Sequence, residues 1–361
     1  MPKPKLIAGG TMAPKSMIEQ IQEYSQGVLS LAPAIVLGSG FSAAHGVPGM
    51  WPLGRHLRDL DIDPTWDSEE TTQWAAFSDQ IDVGVDLEAA LGRARLSDRQ
   101  TAKVVEATRT FLMPADLQAF NEMLADRKTF PLSRLYQHLF NSTHRTVDVV
   151  TTNYDRLAEY AADAGGFSHF TGFDYGHLQI RARDPRTRVH YGRDVARTVC
   201  VWKVHGSLDW FQDSFGQIIG ARACLETPPT YAPVMVTPGI DKYRLTHGEP
   251  FRTIFGCSDA ALQCARAYLC IGYGFNDEHV QPKLIERCET TAAPLLVLTK
   301  ELTPTTKSFL ARGRCGKYLA LEEYAGGTRA YNTDNPNGIE IPGTAIWSLP
   351  NFLNCMLGDT T

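Results

Sequence analysis

The stretch Ala34-Ile35-Val36-Leu37-Gly38-Ser39-Gly40-Phe41-Ser42-Ala43 decides the fold class. Four apolar residues run straight into two glycines separated by one residue, and small residues follow. That is the pattern of a buried parallel strand ending in a turn able to cradle a phosphate. Three later segments end in the same way: Asp148-Val149-Val150-Thr151-Thr152-Asn153-Tyr154-Asp155, Val201-Trp202-Lys203-Val204-His205-Gly206-Ser207, and Ala267-Tyr268-Leu269-Cys270-Ile271-Gly272-Tyr273-Gly274. Each places polar or glycine residues where an apolar run stops. Together they read as ends of strands in one sheet, with a single nucleotide site lined by four loops.

Working outward, the spacing of Met17, Ile18, Ile21, Tyr24 and Val28 predicts a helix over 16–31. The pattern is mainly helical from Trp51 to Phe140, with a further helix started by Pro131. Residues 55–130 therefore read as a mostly helical module inserted between the first and second sheet strands. Strands are expected at 146–150, 198–204, 268–272 and 293–299, with helices at 154–162, 254–267 and 277–288 among them. Alternating buried strands and helices imply an α/β fold: a Rossmann-like parallel sheet with helices on both faces. Residues 15–54 and 131–300 make up that unit, and residues 1–14 read as a leader. Residues 165–195 read as irregular, and Pro228, Pro229, Pro233 and Pro238 mark 225–240 as a loop or lid. Residues 301–361 read as a less regular C-terminal extension with a final helix, and as a candidate assembly contact.

Composition narrows the function classes. The chain has 361 residues, 43% hydrophobic and 21% charged, as expected for a soluble globular protein with a sizeable core. The formal net charge of −5 and the lack of any Lys/Arg run argue against an extended nucleic-acid groove. The most basic patch, residues 181–188, reads as an exposed turn. Eight cysteines include no Cys-x-x-Cys pair, and Cys257, Cys264 and Cys270 fit no common metal spacing. Free thiols in a reducing cytoplasm are expected. No stretch approaches the roughly 18 apolar residues that would span a bilayer.

Each strand-end loop has a functional and a structural reading. In Gly38-Ser39-Gly40-Phe41-Ser42-Ala43, the first glycine permits a tight turn, the second a close backbone approach to pyrophosphate, and the small last residue close packing. The acidic residue expected about 20 positions on is missing, which disfavours a hydride-transfer dehydrogenase. Asn153 can orient a ribose hydroxyl or a water, or can form an Asx turn or helix cap. His205, at a strand end beside Gly206, can act as a base in an open cleft, or can be structural. Gly272 and Gly274 can approach a nucleotide. Asp277 is equally a cap, and His279 equally a first-turn polar residue.

Taken in order, Gly-Ser-Gly-Phe-Ser, Thr-Thr-Asn-Tyr-Asp, Lys-x-His-Gly-Ser and Gly-Tyr-Gly-Phe-x-Asp-x-His resemble the motifs of the sirtuin-like superfamily. They look closest to the prokaryotic sirtuin-like domains of antiviral defence systems. The resemblance covers about residues 30–300. It implies a Rossmann-like NAD-binding domain, with Asn153 and His205 as the catalytic pair. It further implies NAD contacts from Gly38, Gly40, Phe41, Ser42, Asp155, Ser207, Gly272 and Gly274, with Phe41 placed to cover the nicotinamide ribose. The four-cysteine zinc module of protein-deacylating sirtuins is missing from this sequence, so no zinc is expected. The implied activity is NAD⁺ glycohydrolysis, with NAD⁺ as substrate. The alternatives are an NAD-dependent protein deacylase or ADP-ribosyltransferase, and a non-catalytic NAD- or ADP-ribose-sensing assembly subunit. Family resemblance also implies a gate: a homo-oligomer, or a separately encoded partner such as a HerA-type ATPase.

Overall fold

Every residue of strand β1 (Ala34–Leu37) is buried, because β1 lies at the middle of the main sheet with helices above and below. The computed structural model describes residues 15–127, 130–185, 188–237, 248–277 and 280–358. The expected leader, Pro238 and His279 lie outside the described residues.

The chain begins with α1 (Met17–Ser30), β1 and the five-residue α2 (Ser39–Ala43). The inserted module follows as α3 (Met50–Arg58), α4 (Ser68–Asp82), α5 (Leu87–Ala94) and α6 (Asp98–Ala125), and α7 (Pro131–Phe140) leads back to the sheet. Next come β2 (Thr146–Thr151), α8 (Leu157–Ala164), β3 (Ser168–Phe170), β4 (Leu178–Ile180), β5 (His190–Tyr191), β6 (Asp194–Val195) and β7 (Thr198–Lys203). Strands β8 (Gly206–Gln212), β9 (Ile218–Ala221) and β10 (Ala232–Met235) precede α9 (Phe251–Cys264) and β11 (Tyr268–Ile271). The chain closes with α10 (Gln281–Thr291), β12 (Leu295–Leu298), α11 (Pro304–Ala311), β13 (Tyr318–Tyr324), β14 (Gly327–Asn332), β15 (Ile339–Ile341) and α12 (Leu349–Leu357).

The main sheet has nine strands in the order β15-β14-β13-β12-β11-β1-β2-β7-β3. Strands from β13 to β3 in that order pair in parallel, and β14 and β15 add an antiparallel edge. Strands β1, β7, β11 and β12 are buried along their whole length, as expected for parallel strands covered on both faces. Two apolar clusters, one on each face, divide β1 between them: Ile35 and Leu37 belong to one, Ala34 and Val36 to the other. The two-residue side-chain period of a strand produces this alternation.

The helical module has an apolar cluster of its own, with Trp66, Trp74 and Phe77 packed on Leu53, Leu57 and Leu87. Its helices start on side chains suited to the task. Asp67 and Ser97 each form a reciprocal capping box, with Glu70 and Gln100 as partners.

The segments read as irregular hold more order than expected. Residues 165–195 contain β3, which joins the main sheet, together with β4 and the β5–β6 ribbon. The proline-rich segment contains β10, which pairs antiparallel with β8 through a register shift between Pro233 and Met235. Pro is tolerated there because β10 is an edge strand of the second sheet, β10-β8-β9-β4. Residues 318–341 extend the main sheet by three strands. The two-residue turn between β13 and β14 is Ala325-Gly326, both with positive φ, the geometry that matches the twist of a tight hairpin. All eight cysteines are free thiols. No helix among the described residues is long and apolar enough to cross a membrane.

Candidate functional site

Strands β1, β2, β7, β11 and β12 run in parallel, so their carboxyl ends share one edge of the sheet. The chain leaves β1 toward β2 on one side, and β11 returns on the other. In open α/β sheets, ligands bind in the crevice at such a reversal. A cavity of about 770 Å³ opens there, within the range of ligand pockets.

The β1 and β11 loops are interlocked. Gly38 N–H donates to Ile271 O at 3.1 Å, and Gly40 N–H donates to Gly272 O at 3.0 Å. A Cβ on Gly38 would lie 2.6 Å from Tyr273 Cα, and one on Gly272 would lie 2.7 Å from Gly40 Cα. Gly272 also has φ +59°, where side chains are strained. These glycines serve first to let two backbones touch. The amides of Gly38 and Gly40 are engaged by protein carbonyls, which differs from the expectation that they would face a pyrophosphate.

Asn153 follows β2. Its amide nitrogen donates to Gly38 O at 2.9 Å and to Ser42 Oγ at 2.7 Å. Only the nitrogen can donate to a carbonyl, so the amide orientation is determined, and both its N–H groups are engaged. The carbonyl Oδ1 is what Asn153 can offer the cavity it lines. Ser42 Oγ in turn donates to Asp155 Oδ2 at 2.6 Å. Complete burial pushes the Asp155 carboxyl up to about 6, against the lowering effect of Lys203 and the Ser42 hydrogen bond. Lys203 is wholly buried, pairs with Glu159 Oε1 at 3.3 Å and donates to the Asp155 backbone carbonyl.

His205 sits in the turn from β7 to β8. Val204 N–H extends the ladder to Thr151 O, which sets the turn beside the Asn153 loop. Gly206 has φ +88°, and a Cβ there would lie 3.0 Å from Met235 Cα, so the turn requires glycine. His205 Nε2 lies 3.0 Å from Asp277 Oδ2, and both side chains are about nine-tenths buried. At this distance the ring and the carboxylate make an ion-pair contact. Catalytic contacts commonly tighten only when substrate binds. Asp277 Oδ1 accepts from Val280 N–H at 2.9 Å, so the residue both caps the chain and faces His205.

Of the residues singled out by sequence, Gly38, Gly40, Ser42, Asn153, Asp155, His205, Gly272 and Gly274 line the cavity. Two lie outside its described lining. Phe41 is buried in the core with its ring 5.2 Å from that of His45, so it is not placed over the cavity. Ser207 is fully buried, with its hydroxyl directed to Tyr154 O at 3.5 Å. Sequence reasoning missed the pairing of Asp277 with His205. It also missed Tyr273, a residue of the same lining whose buried hydroxyl has no hydrogen-bond partner among the described residues. Lys300, Glu301 and Glu323 bring charge from the ends of β12 and β13. Polar residues directly after those strands were the available signal.

The SIR2-like domain family matches residues 147–293, a span that holds Asn153, His205 and Asp277 but not the β1 glycine loop. No curated protein matches the chain. Among solved structures, one describing the mechanism and regulation of Sir2 enzymes is 15% identical, covering 80% of this chain and 89% of its own, with a TM-score of 0.40. A Sir2 homologue in complex with NAD is 13% identical, covering 78% and 84%, with a TM-score of 0.39. Sir2Tm bound to a propionylated peptide is 12% identical, covering 78% and 88%, with a TM-score of 0.41. Residues 147–293 of this chain thus match the SIR2-like domain family.

Proposed function

We propose that this protein is an NAD⁺ glycohydrolase, releasing nicotinamide and ADP-ribose. The observation that carries the reading is that Asn153 and His205 line one cavity at the carboxyl edge of the sheet, each held by a buried acid. Asn153 is held through Ser42 and Asp155, and His205 faces Asp277.

The glycosidic bond between nicotinamide and ribose breaks through an oxocarbenium-like transition state. Nicotinamide departs with the bonding electron pair as a neutral molecule, so no strong general acid is required. Asn153 Oδ1 accepts from a ribose hydroxyl or from the attacking water, and its partial negative charge faces the developing cation. With Nε2 facing Asp277, Nδ1 is the nitrogen left to take a proton. The water oxygen bonds to the ribose carbon, its proton passes to His205, and Asp277 stabilises the imidazolium. Asp155 is mostly ionised at neutral pH and keeps the Ser42 hydroxyl turned so that its oxygen accepts from Asn153.

The sequence motifs that look closest to defence-associated domains support a role as the NAD-depleting effector of a bacterial antiphage system, working in the cytoplasm. Such an activity needs restraint, so the protein works as a homo-oligomer or under a separately encoded partner such as a HerA-type ATPase. Incubation with NAD⁺ and chromatographic product analysis tests the reaction. Equal amounts of nicotinamide and ADP-ribose without any acyl-lysine peptide are expected. Turnover only when an acyl-lysine or another acceptor is added would instead identify a deacylase or transferase. NAD⁺ binding with no turnover, with or without partner, would identify a sensing subunit.

A further inference from the structure

A second, smaller cavity of about 250 Å³ lies away from the site above, between α6, α8, β3 and the start of β8. Its wall combines the apolar Leu117 and Phe120 of α6 with charged groups of both signs. Most of these groups are satisfied in pairs. Arg156 holds Asp116 with Nε at 2.9 Å and Nη2 at 2.6 Å. Glu159 Oε1 holds Lys203, and His169 Nδ1 lies 3.0 Å from Asp163 Oδ1.

What remains is a set of polar atoms that these pairings leave over. Glu159 Oε2 and His169 Nε2 are buried with no hydrogen-bond partner among the described residues. Both residues are only 6% exposed, as is Asp209, whose carboxylate makes no hydrogen bond among the described residues but feels the positive charge of Arg156 and Arg109. A buried carboxylate oxygen left without a partner is costly, so such atoms mark a place where a ligand or water completes the structure. Because Asp163 can only accept, His169 Nδ1 carries a proton, and Nε2 is left as the ring's unengaged polar atom. Two carboxylate acceptors, Glu159 Oε2 and the Asp209 carboxylate, therefore favour a donor-rich cationic group. Against them stands Arg222, half-buried, lining the same cavity and making no ion pair among the described residues. A guanidinium placed in this way favours a carboxylate. No group of three or more His, Cys, Asp or Glu among the described residues is arranged to hold a metal ion. The cavity opens at the surface beside Asp163, whose side chain is 51% exposed.

We infer that this cavity is a binding site for a small zwitterion of the α-amino-acid class. Its ammonium group lies against Glu159 and Asp209, its carboxylate against Arg222, and its side chain against Leu117 and Phe120. The inference is independent of the NAD⁺ reading, because none of these residues belongs to the larger cavity.

The test is thermal melting and titration calorimetry of the full chain with each standard α-amino acid as probe. Matched amines lacking the carboxylate and matched acids lacking the amine serve as controls. At least one amino acid is expected to raise the melting temperature saturably, and its single-charge analogues are expected not to do so. Arg222→Ala and Asp209→Asn should each weaken binding at least tenfold, whereas His205→Ala should leave it unchanged. Arg222 makes no ion pair among the described residues, so that variant is expected to melt near the wild type. No response to any amino acid would overturn the proposal. So would equal binding of the amine alone, undiminished binding by both variants, or loss of binding in His205→Ala.

Discussion

His205 Nε2 and Asp277 Oδ2 lie 3.0 Å apart although they are separated by more than 70 positions in the chain, one after β7 and the other after β11. The pair gives the candidate base a fixed orientation and a counter-charge. Asp277→Asn keeps an oxygen for the Val280 cap but presents an amide to the ring, favouring the wrong tautomer. The expected result is a fall in NAD⁺ turnover of roughly 10²- to 10⁴-fold with little change in melting temperature. Turnover near wild type would remove Asp277 from the mechanism.

Asn153 donates twice and accepts toward the cavity. Asn153→Ala is expected to lower turnover by roughly 10²-fold or more while the protein still folds. Asn153→Asp should be worse for stability, because a carboxylate would face Gly38 O and lose both donated hydrogen bonds. A cost of about 1–3 kcal/mol is expected relative to wild type. Urea denaturation of both variants checks this, and an aspartate variant as stable as the alanine variant would contradict the assigned amide orientation.

Gly272→Ala places a methyl group against the β1 loop at a backbone angle that disfavours side chains. The two loops must separate, at a cost of about 2–4 kcal/mol, with loss of NAD⁺ binding. Gly256→Ala, in α9 with open space around the added carbon, is the matched control and should be neutral to slightly stabilising. Denaturation midpoints for the two variants give the comparison, and equal values would refute the interlocked-loop argument.

Asp155 supplies a pH dependence of stability. Its carboxyl titrates near 6 in the folded protein against an ordinary 3.8, because burial opposes its charge. Between those values the folded state holds a proton that the unfolded state has released. The contribution of Asp155 to stability is therefore greatest below about pH 4, falls as pH rises through the window, and is constant above about 6. The total change is about 3 kcal/mol. Asp155→Asn should lack this component, so the difference in unfolding free energy between the two proteins should vary with pH between 4 and 6. A difference that is flat across that range would show that Asp155 is not raised.

The alternation of apolar runs and helical periods was legible because each is a local property. Buried parallel strands must be apolar on both faces, and the runs at 34–37, 268–271 and 295–298 are nearly featureless for that reason. The β13–β15 extension was not legible. Its hairpin turns on Ala325, a residue without the usual turn signature, and β14 is only partly apolar. Phe41 was misplaced because a sequence position next to a glycine does not say which way a ring points. In the structure, the packing of α2 on the core decides this.

By itself the sequence determined that parallel strands end in glycine, Asn and His loops, and so which edge of the sheet carries the cavity. That information lies within single segments of ten residues or fewer. Only the tertiary structure decided what those residues do. Strand order brings the β1 and β11 loops into contact, which engages the amides of Gly38 and Gly40 and leaves the glycines as spacers. The same order sets Asp277 against His205, and Asp155 behind Ser42 and Asn153. These are pairings across strands far apart in sequence, fixed by sheet topology and burial, and no local pattern encodes them.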